Sequence, residues 1–436
     1  MYPNLYYVFK DLFGTSHAFF KLFQTFGFFV AVAFLAGAWV LTQELKRREK
    51  LGWLKGMTGM AVRKRGDFKS GLLWSAVIAF LIGYKVLGMF VLIQGNMSSA
   101  EVRELLLSTQ GSLWLGIATA AVVAGIKWVR RPKDPEELKA KEWKEEVTIM
   151  PHQRVPDFTV LAALAGLIGA KIFHNLENWS DFVADPWGSI FSASGLTFYG
   201  GLILAAVVII YYARKRNIST RHLIDSAAPA LMLAYAIGRM GCHFSGDGDW
   251  GILNNAYAPD STGVVQRITD EQYQQRLHDH ASFFEGEFGG MDKVHAHAFV
   301  KPNSLAFLPD WFFAYGYPHN VINRGMPMAN CDSEYCHVLP VAVYPTPLYE
   351  IIACLFLFGI LWTIRRRVTI PGVIFGIYLI FNGLERFFIE KIRVNTKYDL
   401  FGFHPTQAEL ISTAMVITGA VLIWYCTTLH KKTVSR

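Results

Sequence analysis

Charged residues are scarce in this sequence: Asp, Glu, Lys and Arg make up 17% of its 436 residues, against roughly 25% in a typical soluble domain. Five cysteines are too few for a disulfide scaffold, and the 37 glycines follow no collagen-like triplet. Neither a Gly-Lys-Ser/Thr phosphate-binding loop nor a dinucleotide motif is present. Apolar residues, in contrast, reach 52% and gather in long runs, which excludes a disordered chain and indicates an integral membrane protein.

The net charge of +8 does not indicate a nucleic-acid-binding protein, because that function needs a continuous basic face on a soluble surface. The basic residues instead form short clusters beside apolar runs, at 46–50, 63–65, 130–131, 214–216, 365–367 and 431–432. This distribution is typical of loops that face a cytoplasm.

Nine segments are apolar and long enough, at about 20 residues, to cross a bilayer core about 30 Å thick as helices. They are approximately 22–42, 71–94, 112–129, 158–176, 195–213, 223–242, 347–364, 370–390 and 407–428. With the N-terminus outside, every basic cluster lies inside, as does the C-terminus. The outer segment 243–343 holds twelve acidic and five basic residues. Residues 1–21 lack the pattern of a cleaved secretory signal, so we expect the first span to be retained.

Two connections are too long to be bare loops. The charged inner linker at 132–156 is expected to be partly helical and amphipathic at the membrane surface. The outer segment of about a hundred residues should carry structure of its own. It contains Cys331 and Cys336, and the sequence leaves open whether they form a disulfide or stay free thiols.

Ionisable and polar residues in the predicted helices share one end of the bundle, the outer end. Because such residues are costly at membrane depth, they normally face a cavity or a partner. The outer-end set is Lys171, His174, Tyr199, Arg239, Glu350, Glu385, Arg386, Glu390, Gln407 and Glu409. Arg386 and Glu390 are four apart and lie on one helix face, whereas Glu385 points elsewhere and is expected to be structural or interfacial. Lys85, at mid-helix in the second span, is expected to pair within its own helix pair.

Two glycine-rich stretches reinforce this picture, at 195–201 and 238–251. Ordinary helix packing through small residues is the alternative interpretation, but the second stretch combines glycines with a cation and two carboxylates. Two arginines and several carboxylates at the outer leaflet suit an anionic lipid headgroup, because a guanidinium can bind phosphate bidentately. From the residues alone, the chain is therefore interpreted as a phospholipid-handling membrane protein. The pairs His278/His280 and His295/His297 are weak evidence for a metal site, because residues two apart point to the same face on a strand but point apart on a helix.

Five stretches occur in the order found in one known family. They are 196–202 (Leu-Thr-Phe-Tyr-Gly-Gly-Leu), Asp225 with 227–229 (Ala-Ala-Pro), 238–241 (Gly-Arg-Met-Gly) with the acidic, glycine-rich segment after it, 344–350 (Tyr-Pro-Thr-Pro-Leu-Tyr-Glu) and 383–390 (Gly-Leu-Glu-Arg-Phe-Phe-Ile-Glu). With them the sequence resembles the prolipoprotein diacylglyceryl transferases, bacterial membrane enzymes that lipidate lipoprotein precursors. The resemblance covers about 22–45, 158–251 and 343–428.

The resemblance implies an all-α polytopic protein of the bacterial inner membrane, with a seven-helix core, an inserted helix pair and a site toward the periplasmic leaflet. The chain would divide into 1–45 (N-terminal segment and first helix), 46–157 (inserted pair with basic loops), 158–251 (core helices with the Gly-Arg signature), 252–343 (expanded periplasmic loop) and 344–436 (C-terminal core helices). The implied reaction transfers a diacylglyceryl group from phosphatidylglycerol to the lipobox cysteine of a prolipoprotein. No cofactor or metal is expected.

The family's motifs also suggest roles for individual residues. The implied catalytic residues are Arg239, Arg386, Glu350, Glu390 and Tyr199. The implied substrate-binding residues are Arg239, Gly200, Gly201, Asp247, Asp249, Gly251 and Cys242. Asp247 and Asp249 are alternatives for one family glutamate, and the sequence does not choose between them.

Three positions depart from the family pattern. Tyr199 stands where the family usually has a histidine, the natural proton acceptor, and a tyrosine with a pKa near 10 is a poor base at neutral pH. Phe26 replaces a family tyrosine, and Cys242 replaces an asparagine. Either His174, His243 or an aspartate substitutes for the missing base, or the chain is a non-catalytic relative that binds lipid or lipoprotein in an envelope assembly. A transporter is the third alternative, but no internal repeat supports it.

Overall fold

The computed structural model describes residues 1–93, 97–192, 197–394 and 404–434, and this part of the chain is mostly helical. The helices are α1 (Leu5–Phe13), α2 (Thr25–Lys50), α3 (Phe68–Leu81), α4 (Gly88–Leu92), α5 (Ser99–Leu107), α6 (Leu113–Val129), α7 (Pro135–Leu138), α8 (Val155–Glu177), α9 (Trp179–Ala184), α10 (Pro186–Phe191), α11 (Phe198–Lys215), α12 (Thr220–Ser245), α13 (Asp270–Asp279), α14 (Ala281–Phe288), α15 (Thr346–Ile364), α16 (Val373–Glu390) and α17 (Gln407–Val434). The strands are β1 (Met57–Arg65), β2 (Lys141–Ile149), β3 (Tyr257–Pro259), β4 (Val265–Arg267), β5 (Met326–Pro327) and β6 (His337–Val338).

Each of the nine predicted spans coincides with helical structure. Five helical segments of the described chain are long and apolar enough to cross a membrane: Thr25–Lys50, Phe68–Leu92, Pro151–Glu177, Thr346–Ile364 and Gln407–Lys431. An all-α membrane protein is confirmed at this level, while the count of nine spans and their direction stay predictions. Position 94 of the second predicted span, and Gly195 and Leu196 of the glycine-rich stretch, lie outside the described residues.

The helices of the core pack in pairs. Helix α12 packs against both α2 and α15, while α16 packs along α17 and α8 along α11. Helices α16 and α17 approach closely because both have glycine at the contact: a Cβ on Gly376 would lie 3.0 Å from the carbonyl oxygen of Gly419. Such close contact through small residues is the usual way in which helices associate in membranes.

A buried carboxylate near the start of α12 fixes the start of α16. Asp225 of α12 is 1% exposed, and it accepts hydrogen bonds from the backbone N–H groups of Gly372 at 2.8 Å and Phe375 at 2.9 Å. Its third partner is Arg48 of α2, at 3.6 Å. The side chain of one helix therefore caps the N-terminus of another, where the first N–H groups lack partners within the helix.

The inserted helix pair is held together by its own contacts. Helices α3 and α6 pack against each other, and a π-helical turn at Ile82–Leu87 joins α3 to α4. Lys85 in this turn donates to the carbonyl oxygens of Leu105, Ser108 and Gln110 at 2.5–2.9 Å. These carbonyls lie at the C-terminal end of α5, where a cation is favourable. The prediction that Lys85 pairs within the inserted pair is confirmed.

The linker at 132–156 is partly helical, as predicted, but it also contains a strand. Only α7 and the short turn Pro151–Arg154 before α8 are helical, and most of the remainder is strand β2, which pairs antiparallel with β1 from Met57↔Ile149 to Arg65↔Lys141. Strand β2 was not predicted, because its partner β1 ends at Arg65, far earlier in the chain. Pairing across that distance leaves no local signal in the sequence.

The expanded outer loop is folded, as predicted. Phe284 and Val341 of the loop are fully buried and pack with Trp250, Tyr317 and neighbouring apolar residues. Cys331 and Cys336 form a disulfide, which settles the alternative that the sequence left open. The core of the loop joins the end of α12 through the hydrogen bond from the N–H of Val321 to the carbonyl oxygen of Ser245, at 2.9 Å.

The turn enclosed by this disulfide contacts both the N-terminal segment and the inserted pair. Glu334 accepts a hydrogen bond from Lys21 at 2.5 Å and one from the N–H of Ser99 at 2.9 Å. Lys21 is 6% exposed and donates also to the carbonyl oxygen of Met97, at 2.7 Å. The carboxylate of Glu334 therefore ties the outer tip of the inserted pair to the outer loop.

Candidate active site

Two arginines from different helices meet on one buried carboxylate. Arg239 of α12 places Nε 3.0 Å from Oε2 of Glu350, and Arg386 of α16 places Nη1 3.4 Å from Oε1 of the same side chain. Glu350, in the second turn of α15, is fully buried, and the hydroxyl of Tyr235 donates to its Oε1 at 3.0 Å. The predicted convergence of the two guanidinium groups is therefore present in the structure.

The local sequence explains how a second carboxylate reaches Arg239. Helix α12 ends at Gly246, whose φ of 66° is the left-handed conformation that glycine adopts readily at helix C-termini. Gly248 also has a positive φ, of 100°. In the turn between these glycines Asp247 accepts a hydrogen bond from the N–H of Asp249 at 3.2 Å, a local pattern that aspartate favours. The chain thereby folds back so that Asp249 forms an ion pair with Arg239.

Asp249 also forms an ion pair with Arg393, three residues beyond the end of α16. Burial alone would raise the pKa of the Asp249 carboxyl, but Arg239 and Arg393 outweigh that effect and lower its pKa to about 2. Of the two aspartates, Asp249 is therefore the arginine partner, and which of them matches the family glutamate stays open. Asp247 differs, since burial and the neighbouring Asp249 raise the pKa of its carboxyl.

Arg393 was missed by the sequence analysis. The side chain is 10% exposed, and its Nε and Nη1 groups are buried without a hydrogen-bond partner in the described part of the chain. One available signal was its position three residues after Glu390, because one further helical turn would place it near the same face. Arg393 was overlooked because it lies past the predicted end of the helix.

The remaining carboxylates of α16 lie beside the arginines. Glu390 forms an ion pair with Arg386 at 3.0 Å, as the spacing of four residues predicts. Glu385 is 7% exposed, so of the two alternatives the structural one fits and an exposed interfacial side chain does not. Its two carboxylate oxygens are buried without a hydrogen-bond partner among the residues described. Neighbouring helices cover α16 on more than one side, which a single helical face does not reveal.

Two further predicted substrate-binding residues lie beside the ion pairs. Gly251 brings two backbone segments together: its N–H bonds to the carbonyl oxygen of Tyr344 at 2.9 Å, and a Cβ there would lie 2.6 Å from the carbonyl oxygen of Ile392. Because Gly251 has no side chain, the backbone at Ile392 can come close to it, and this contact keeps Arg393 beside Asp249. Cys242 is buried, with its sulfur 3.8 Å from Nη1 of Arg239, so it contacts that arginine only weakly.

Tyr199, Gly200 and Gly201 lie in the first turn of α11, which packs along α8. A Cβ on Gly200 would lie 2.6 Å from the carbonyl oxygen of Gly169, and one on Gly201 would lie 2.7 Å from that of Gly166. Both glycines therefore support close helix packing, the alternative interpretation considered for this motif. Tyr199 is half-buried, and the roles of these three residues stay predictions.

The two histidines considered as replacements for the family base, and the replaced family tyrosine, lie in three different helices. His243 is buried in the last turns of α12, with Nδ1 3.4 Å from the hydroxyl of Tyr317. His174 contacts Asn178 near the end of α8, at 3.2 Å. Phe26, in place of the family tyrosine, lies against Gly241, where a Cβ would be 3.2 Å from the phenyl ring.

Comparison with known proteins places this geometry in a family context. The family model described as prolipoprotein diacylglyceryl transferase matches residues 137–425, which is more than half of the chain. Three similar proteins all carry the name phosphatidylglycerol–prolipoprotein diacylglyceryl transferase. One from Leptospira interrogans is 32% identical over 29% of this chain, and the match spans 44% of that relative's length.

The other two relatives match over longer stretches. One from Enterococcus faecalis is 25% identical over 61% of this chain and 73% of its own length. One from Dehalococcoides mccartyi is 24% identical over 73% of this chain and 91% of its own length. The match to the family model contains Arg239, Asp249, Glu350, Arg386 and Arg393. The chain belongs to the prolipoprotein diacylglyceryl transferase family.

Proposed function

We propose that this protein transfers a diacylglyceryl group from phosphatidylglycerol to the lipobox cysteine of a prolipoprotein. The observation that carries the proposal is the meeting of Arg239 and Arg386 on the fully buried Glu350. A guanidinium has five N–H donors, so carboxylate pairing along one edge leaves others for a phosphate. The names of the relatives agree with this substrate pair.

The reaction needs little covalent participation by the protein. The substrate thiol loses its proton, the sulfur attacks the glyceryl carbon that bears the phosphate, and a carbon–sulfur bond forms as the carbon–oxygen bond breaks. The electron pair of the broken bond leaves with glycerol phosphate. Catalysis then depends on aligning sulfur and carbon and on stabilising the leaving phosphate, which positioned arginines do without reorganising during the reaction.

In this proposal Arg239 and Arg386 bind the phosphate, and the carboxylates fix their orientation. Glu350 orients both, Glu390 orients Arg386, and Asp249 orients Arg239. The hydroxyl of Tyr199 is assigned to proton handling. The other predicted substrate-binding residues, Gly200, Gly201, Asp247, Gly251 and Cys242, are assigned to the wall of the site.

We also place the site at the periplasmic leaflet of the inner membrane. The residues of the arginine cluster lie at the same helix ends as the outer loop, which carries the Cys331–Cys336 disulfide, and disulfides persist in an oxidising compartment. Basic clusters follow the opposite ends of α2, α11 and α15, as expected for a cytoplasmic face.

Mass spectrometry of a lipobox peptide incubated with the purified protein and phosphatidylglycerol tests the proposal. We expect the peptide to gain the mass of one diacylglyceryl group, and Arg239→Ala to abolish the gain. Arg267→Ala, at an exposed position of the outer loop, is the matched control and should retain activity. Full activity of Arg239→Ala would remove the proposed role of that residue.

Expression in cells depleted of their own transferase separates catalysis from the non-catalytic alternative. Growth with lipidated precursors is the result expected here. Stable expression of the protein without lipidation would instead support a role as a binding partner in an envelope assembly.

A further inference from the structure

A cleft of about 250 Å³ lies between the arginine cluster and the outer loop. Asp249 and Arg393 line it together with Phe283 and Phe288 of α14. Val341 and Val343 are buried and also line the cleft. Any group in this cleft therefore lies directly beside the ion pair that joins Asp249 to Arg393.

The wall formed by α14 is fixed in place. Phe284 is fully buried in the core of the outer loop, which anchors the helix between its two cleft-lining phenyl rings. Gly289 ends the helix in the left-handed conformation, with a φ of 73°. Glu287, also at the cleft, forms an ion pair with Arg324. These contacts fix the position of α14, so the cleft is a defined part of the fold.

We propose that this cleft binds the peptide part of the acceptor, next to its reactive cysteine, and so determines which precursors are modified. The inference rests on the proposed function and assigns a task to the expanded loop. The donor lipid carries two acyl chains that stay in the bilayer, so it must approach from between the membrane helices. The cleft is formed largely by the outer loop, and a volume of about 250 Å³ is below the usual range for a ligand of drug size.

The chemistry of the lining matches a short stretch of peptide. Phe283, Phe288 and the two valines offer apolar contact to a side chain. Arg393 offers its buried Nε and Nη1 groups, which have no hydrogen-bond partner in the described part of the chain. A peptide carbonyl oxygen is a suitable acceptor for them, since buried donors left unpaired are costly.

Steady-state kinetics with the full-length protein test this inference. The acceptor is a synthetic precursor peptide with a single cysteine, and the donor is phosphatidylglycerol in detergent micelles. We expect Phe288→Ala and Phe283→Ala to raise the KM for the peptide about ten-fold, with kcat and the KM for the lipid unchanged within about two-fold. Phe307→Ala is the matched control, because Phe307 lies in the same loop but is 78% exposed.

A peptide series shows whether the cleft reads the residue beside the cysteine. With Gly, Ala, Leu or Trp at that position, the wild type should prefer the smaller residues, and Phe288→Ala should improve the relative kcat/KM of the larger ones. Such a change of preference is not produced by partial unfolding, which lowers the rates for all peptides alike.

Three outcomes would overturn the inference while leaving the proposed function intact. The first is an unchanged peptide KM in both variants, and the second is an equal loss for all four peptides. The third is a rise in the KM for phosphatidylglycerol instead, which would assign the cleft to the donor headgroup. Absence of transfer by the wild type would contradict the proposed function itself.

Discussion

Replacing Glu350 by Gln tests how much the site depends on a single buried charge. The substitution keeps the size of the side chain but removes the carboxylate that Arg239 and Arg386 share, at 3.0 and 3.4 Å. Unit charges about 3 Å apart attract by about 5 kcal/mol at an effective dielectric constant of about 20. Removing the carboxylate leaves buried arginine charges without this partner, and breaking a buried pair in this way lowers the free energy of unfolding by about 3–5 kcal/mol.

The effect on transfer should be as large as the effect on stability. Without Glu350 both guanidinium groups lose the partner that orients them, and a positioned donor to a developing charge is worth about 10²–10³ in kcat. We expect Glu350→Gln to lose activity by about that factor, measured by mass spectrometry of the lipobox peptide. Glu390→Gln should lose less, because Glu350 is shared by Arg239 and Arg386 and is fully buried, whereas Glu390 forms an ion pair with Arg386.

A double-mutant cycle shows whether Glu350 acts by orienting Arg386 or has a role of its own in the reaction. If Glu350 acts through Arg386, the double variant Glu350→Gln/Arg386→Gln should be little worse than the more damaged single variant. Glu104→Gln, at an exposed position of α5, is the control for a surface charge. Activity of Glu350→Gln within two-fold of the wild type, in a folded protein, would refute the reasoning.

Three further predictions concern charges at other places. Asp225→Ala should lower the free energy of unfolding in detergent by about 3 kcal/mol, since it leaves two N–H groups of α16 and Arg48 without their partner; an unchanged melting temperature would contradict the capping role. Glu334→Gln should increase hydrogen exchange in residues 97–107, because the tie from the outer loop to α5 is weakened; equal exchange in wild type and variant would show that this tie does not hold the tip. Asp249, whose pKa is lowered to about 2, should stabilise the fold by at most about 2 kcal/mol above pH 4 and lose this contribution as pH falls toward 2. The unfolding curves of wild type and Asp249→Asn should therefore converge in acid, and a constant difference across that range would contradict the assignment.

The helices and the centre of the site could be predicted from the sequence because their signals are local. Apolar runs of about 20 residues define spans, and Arg239, Glu350 and Arg386 each lie near a helix end that alternating direction brings to one side. Arg393 could not be found in this way, since it is positioned by the contact of Gly251 with the backbone at Ile392. The β1–β2 pair depends on contacts between distant segments, and no local pattern encodes them.

The inserted pair shows how a large addition leaves the site undisturbed. Helices α3 and α6 pack mainly on each other, and Lys85 binds the end of α5 within the same insertion. The described polar contacts to the outer loop are concentrated at the tip, where Ser99 and Lys21 meet Glu334. If the pair crosses the membrane twice, as the sequence predicts, the chain also returns to the same side. The core helices therefore keep the pairing that brings Arg239 and Arg386 to Glu350, and the tip of the insertion contacts the outer loop, the element that also lines the cleft.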